Sequence, residues 1–124
     1  MKKVKLKEVQ GLLDSGKDPK EIFDCVCFKY EDFRIVVLGD NWNYIDKNNK
    51  LLSDEWFDWC IDFCGGFAIV KLNSKWNYIK PNGEFLSEQW FDNCWDFYDD
   101  FGRVIDNGVE YLIDKFGKLH NSNE

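Results

Sequence analysis

The amino-acid sequence predicts a mainly β fold: tandem antiparallel β-meander units with a period of 34 residues, behind a short N-terminal helical cap. Three observations predict it. Shifting the chain by 34 residues lays residues 33–66 on residues 67–100, and seventeen of those 34 positions are identical. Segments of strand-forming residues alternate with turns bearing Asn, Gly or Pro. Aromatic side chains make up 18% of the chain, a supply that disordered acidic chains lack and a packed core uses.

The first element predicted is a helix, because Leu6, Val9, Leu12 and Leu13 fall at helical spacing and Gly16 stops it after Asp14-Ser15. Asp18-Pro19-Lys20-Glu21 then supplies an Asp N-cap, Pro at the first helical position and Glu at the third, a start signal for a second short helix. Glu21-Ile22-Phe23-Asp24 lies one period before Glu55-Trp56-Phe57-Asp58. An array of stacked units leaves an apolar end unless something covers it. Residues 1–32 are therefore expected to be a helical cap plus a partial repeat.

The array proper is expected over residues 33–119, as two full copies and a truncated third. Phe67-Ala68-Ile69-Val70-Lys71-Leu72 and Trp76-Asn77-Tyr78-Ile79 are predicted strands, joined by a turn at Asn73-Ser74-Lys75 that becomes Asn107-Gly108-Val109 in the third copy. Lys80-Pro81-Asn82-Gly83 makes a second turn, with Asn49 replacing the glycine one copy earlier. Glu84-Phe85-Leu86 is expected to be a third strand completing the meander. Ser53–Phe63 admits two readings: a helical turn capped by Ser53 and followed by acids, or an extended crossover. In the third copy Phe101, Val104, Ile113, Gly117 and Leu119 follow Phe67, Val70, Ile79, Gly83 and Phe85 by one period. Residues 120–124 are expected to be a polar tail.

Lys75-Trp76-Asn77-Tyr78-Ile79 with Asn82-Gly83, preceded by Gly66-Phe67-Ala68-Ile69-Val70 and followed by Trp90-Phe91-Asp92, resembles the WG-repeat (KWG-repeat) family over residues 21–119. This chain departs from the eponymous Trp-Gly, with Trp42-Asn43, Trp76-Asn77 and, in the last copy, Glu110-Tyr111. The resemblance is thus to a divergent member. It implies an all-β interaction module of bacterial, phage or mobile-element type, and it brings no catalytic residues.

Charge narrows the function classes. The net charge is −7, with about +3 in residues 1–20 and about −10 in the rest. An acidic body repels phosphates, so direct nucleic-acid binding is disfavoured. No apolar run is long enough to span a bilayer, and the basic N-terminus lacks the apolar stretch of a secretory signal. A cytoplasmic, non-membrane protein is expected. Its five cysteines, Cys25, Cys27, Cys60, Cys64 and Cys94, lack the paired spacing of a zinc site and are expected to be reduced. No cofactor or metal is expected.

Catalytic chemistry finds little to use. His120 is the one histidine and is expected in the tail, where a general base would be poorly preorganised. Asp58/Asp62 and Asp92/Asp96 resemble the two carboxylates of a glycosidase, but both pairs recur at the same repeat position and so read as architecture. The recurring aromatics Trp42, Trp76, Trp56, Trp90, Phe57, Phe91, Phe63 and Phe97 are expected in the core. Trp59, Trp95, Tyr98, Phe116 and Tyr30 break the repeat and are candidates for the surface.

A non-enzymatic module binding another protein is the expected function, through Trp59, Trp95 and Tyr98 with Asp62, Asp96, Asp99 and Asp100. The alternatives are an acidic inhibitor of a basic nucleic-acid-binding groove, a carbohydrate or small-ligand binder, and a structural subunit of a larger assembly.

Overall fold

A computed structural model describes residues 5–27 and 31–121, and among these ten strands and two short helices make a mainly β protein with three antiparallel sheets. The chain divides into two compact units, residues 1–62 and 63–124.

The first unit contains α1 (Leu6–Asp14), α2 (Pro19–Ile22), β1 (Cys25–Val26), β2 (Arg34–Leu38), β3 (Asn41–Ile45) and β4 (Trp59–Cys60). α1 buries Val9 and Leu13, four residues apart on one stripe, but leaves Leu12 43% exposed on the flank of that stripe. Gly16 follows its last turn at φ 90, the left-handed conformation that glycine takes without strain. The Asp18 side chain accepts from the Lys20 amide at 2.9 Å and starts α2 with Pro19 in its first turn.

Both helices lie over the β2–β3 hairpin. Val9, Leu13 and Phe23 pack with Val36, Ile45 and Trp56 into one buried cluster. Gln10 fixes the docking by accepting from the Leu51 amide at 2.9 Å and donating to the Asn49 carbonyl at 3.2 Å, while Lys50 pairs with Asp14 at 2.5 Å. β1 pairs antiparallel with β2, and β2 with β3 in the register Ile35↔Tyr44 and Val37↔Trp42.

The second unit begins with a hairpin of β5 (Ala68–Leu72) and β6 (Lys75–Ile79), in the register Ile69↔Tyr78 and Lys71↔Trp76. Its loop is two residues, Asn73 at φ 53 and Ser74 at φ 70; Lys75, expected in the turn, is the first residue of β6. Paired positive φ angles match the twist of the strands they join. A four-stranded sheet follows, in the order β10-β9-β8-β7, from β7 (Asn93–Tyr98), β8 (Phe101–Asp106), β9 (Val109–Asp114) and β10 (Leu119–Asn121).

Several expectations are corrected. Residues 84–86 form no strand: Phe85 makes a single bridge to Ile79, and the Leu86 amide donates to the Tyr78 carbonyl at 2.9 Å. Of the two readings left open for Ser53–Phe63, the helical one fails: the segment holds no helix, and contains a bridge at Phe57 and the short β4. The Phe57 amide donates across to the Trp42 carbonyl at 2.8 Å, as Phe91 does to Trp76, and this outward pairing removes the donor a helix would need. Ser53 and Ser87 do accept from amides two residues on, Glu55 and Gln89, each at 3.0 Å, but these bonds cap local turns. His120 lies in β10 opposite Leu112, not in a tail.

Candidate functional site

The four-stranded sheet has two unlike faces because alternate residues of a strand point to opposite sides. Phe97, Gly102, Val104 and Ile113 are buried on the inner one. Tyr78 is fully buried there, its hydroxyl donating to the Trp95 carbonyl at 2.5 Å with the Arg103 carbonyl at 3.2 Å, and its ring meets Phe97 edge-on at 5.0 Å. Burial pushes the Tyr78 phenol up, and it pushes the Cys94 thiol up to about 12. The first unit has a related arrangement: Tyr44 is fully buried, its hydroxyl donates to the Ile61 carbonyl at 2.6 Å, and burial raises both its phenol and the Cys60 thiol.

The outer face is a different surface. Cross-strand pairing aligns Trp95, Arg103, Leu112 and His120 in one row and Tyr98 with Phe101 in the next. A bulge between Trp95 and Tyr98 places two residues of β7, Asp96 and Phe97, against one of β8, Gly102, which returns Tyr98 to the side that Trp95 faces. Tyr98 is 83% and Phe101 41% exposed, while Trp95 is half-buried.

The Arg103 guanidinium lies 4.2 Å from the Trp95 ring centroid and 3.6 Å from the Glu110 carboxylate. His120 Nε2 is 2.9 Å from Asp114 Oδ2, and its ring meets Phe101 edge-on at 5.7 Å. Asp114 also accepts from the Phe116 and Lys118 amides, which fixes the β9–β10 turn; the His120 bond is the first cause holding its carboxyl below the ordinary range. Lys115 pairs with Asp100 at 3.0 Å and ties that turn to the turn between β7 and β8.

Of the surface residues the sequence singles out, Trp95, Asp96, Tyr98, Asp99 and Asp100 fall together on β7 and the turn after it. Trp59 and Asp62 belong to the first unit, where Trp59 is 48% exposed and its ring lies 4.4 Å from that of Trp42. Phe116 is 92% exposed at the tip of the β9–β10 turn. Tyr30 lies outside the described residues.

The recurring aromatics divide. Trp56, Phe57, Phe63, Phe91 and Phe97 are buried, but Trp42, Trp76 and Trp90 are only half-buried, which corrects their assignment to the core. Trp76 carries Lys71 over its ring at 5.3 Å, and Trp90 packs edge-on to Phe85 at 5.1 Å. Trp42 and Trp76 share a strand face with the buried Tyr44 and Tyr78 two residues on, while Asn43 and Asn77 point to the other face.

Asn43 and Asn77 take buried positions instead. The Asn77 side chain accepts from the Tyr78 amide at 2.7 Å and donates to the Ser87 carbonyl at 2.8 Å. Asn43 accepts from the Tyr44 amide at 2.7 Å and donates to the Ser53 carbonyl at 3.1 Å. Sequence inspection ranks these asparagines and Arg103 too low. The available signal for Arg103 is a charge where Ile69 stands one period earlier.

Asp92, one member of the Asp92/Asp96 pair, holds a turn, as does Asp24. Asp92 pairs with Lys75 and accepts from the Asn107 amide at 2.8 Å, and Asp24 accepts from the Gly39 amide at 2.7 Å. The Lys75 contact, then the Asn107 amide, keep the Asp92 carboxyl below its ordinary range. Among the described residues no group of three or more His, Cys, Asp or Glu is arranged to hold a metal ion, and no helix is long and apolar enough to cross a membrane. Comparison with protein-family models, with curated proteins and with solved structures finds no match for this chain.

Proposed function

We propose that this chain is a non-catalytic module, acting in the cytoplasm, that binds another protein through the outer face of its four-stranded sheet. We infer further that it is built as a divergent WG-like array of 34-residue β units. Three pairs of contacts one period apart support the array: Trp42 with Phe57 and Trp76 with Phe91, Asn43 with Ser53 and Asn77 with Ser87, and Tyr44 with Ile61 and Tyr78 with Trp95.

The observation that carries the binding proposal is the exposure of Tyr98 and Phe101 beside Trp95 on one sheet face. The packing around Tyr78 is completed on the opposite side by Phe97 and Gly102, so folding makes little use of the outer aromatics. Large amphipathic aromatics of this kind contribute disproportionately to protein interfaces.

The test is a photo-crosslinking amino acid placed at position 98, with position 47 as an exposed control in the first unit, in cells of the source organism. A protein adduct from position 98 that Phe101→Ala diminishes, with none from position 47, is the expected result. No adduct from position 98, or equal labelling from both positions, removes the proposal.

A further inference from the structure

The face just described has a chemical character that narrows its partner. Asp99, Asp100, Glu110 and Asp114 lie on or around it, against the cations Arg103 and Lys115, with His120 beside Asp114. Aromatic surface and excess negative charge therefore occupy the same side of one sheet. We propose that this face receives an extended cationic segment of another protein, in which Arg or Lys side chains alternate with apolar ones. The assignment rests on the binding role proposed above and names the class of its partner.

The protein contains an internal version of the contact. Arg103 presents its guanidinium to the Trp95 ring at 4.2 Å and to Glu110 at 3.6 Å, so one cation is held between an aromatic and a carboxylate on this face. A cation over an aromatic ring is attracted by the negative face of the π system, and the attraction grows as water is excluded. Tyr98 and Phe101 stand in the next row with Asp99 and Asp100 in the turn between them; Lys115 takes Asp100, but among the described residues no arginine or lysine is set over either ring. A partner's arginine or lysine supplies the missing third member. The alternate spacing of the cations follows from the extended form of the segment, which turns every second side chain toward the sheet. The same carboxylates oppose the approach of phosphates, so a nucleic acid is the wrong sign for this surface.

Fluorescence anisotropy with a short labelled peptide alternating Arg and Val tests the assignment, with a peptide of Glu and Val as control. The arginine peptide binds and the glutamate peptide does not. Tyr98→Ala, and separately the double variant Asp99→Asn/Asp100→Asn, each weaken binding about tenfold, while Asp54→Asn/Glu55→Gln in the first unit weakens it less than about twofold. The two double variants change net charge equally, so they separate a local site from the general attraction of an acidic protein. Thermal melts confirm that each variant is folded.

Equal losses in both double variants, or indifference to Tyr98→Ala, overturn the proposal. A crosslink from position 98 to an acidic or uncharged segment also overturns it but leaves the binding role standing. Absence of any crosslink removes the binding role itself.

Discussion

Gly102 carries the hydroxyl of Tyr78: a methyl group on Gly102 would sit 2.6 Å from that oxygen and 2.9 Å from the Phe97 ring. Neither neighbour has room to yield, because the hydroxyl is tied to the Trp95 carbonyl and the two rings pack edge to face. Gly102→Ala is expected to cost about 1–3 kcal/mol, the range for overpacking a closed interior. Urea unfolding measures it, and adding Tyr78→Phe should recover part of the loss. Additive costs in the double variant would mean that the clash lies elsewhere.

The buried amide of Asn77 joins its own strand to the segment that follows. Asn77→Ala leaves the Ser87 carbonyl and Tyr78 amide without that partner, and a buried unsatisfied group costs about 1–3 kcal/mol. The same substitution at Asn43 should cost a similar amount, because its side chain serves Tyr44 and Ser53 in the same way. Equilibrium unfolding of both variants is the check. A loss below about 0.5 kcal/mol at both would place the bonds among dispensable ones.

Phe97 and Tyr98 are neighbours in the chain with opposite fates, 4% and 83% exposed. Phe97→Ala is expected to destabilise by about 3–5 kcal/mol, the usual cost of emptying an aromatic core site. Tyr98→Ala should stay within about 0.5 kcal/mol of the parent. Chemical denaturation of the two variants distinguishes this from an arrangement in which β7 is shifted by one residue, which would exchange the two results.

Alkaline pH should destabilise the protein. Burial raises Cys60, Cys94, Tyr44 and Tyr78, with Cys94 at about 12 against an ordinary 9.0. In the folded protein these groups keep their protons where the unfolded chain releases them. Their contribution to stability is therefore complete below the unfolded thiol value and declines as pH rises from about 9 toward 12. Melting temperature should fall across that window, and Cys94→Ala should fall less steeply. An equal slope in that variant would show that Cys94 does not contribute.

Thiol reactivity follows the same burial. Cys25 is exposed, whereas Cys60 and Cys94 are enclosed and protonated. A disulfide reagent near pH 8 should modify Cys25 rapidly and reach Cys60 and Cys94 only on unfolding, because the thiolate is the reactive form. Mass mapping of timed samples reads the order, and early labelling of Cys94 would contradict its placement.

Much of the backbone plan is legible in the sequence. The Asp18-Pro19 start of α2, the two-residue turn at Asn107-Gly108 and the substitution of Asn49 for glycine at φ 58 each follow from local conformational preference, which needs no distant partner. The candidate face is partly legible. Tyr98, Trp59 and Phe116 depart from the repeat and are exposed, so a large aromatic replacing a smaller or polar residue is a usable sign of surface. It serves less well for Trp95, which Arg103 half covers.

The sequence by itself determined the class of fold, the helical start and the places where the chain turns, because these depend on periodicity and on φ angles that few residues accept. Only the tertiary structure decided that residues 53–63 hold no helix, that Asn43 and Asn77 are buried while Trp42 and Trp76 lie partly outside, and that His120 is part of a strand. Each of those outcomes depends on which backbone donor finds a carbonyl in another segment, and on the side of a sheet that another layer covers. Neighbours in the chain carry no record of such partners.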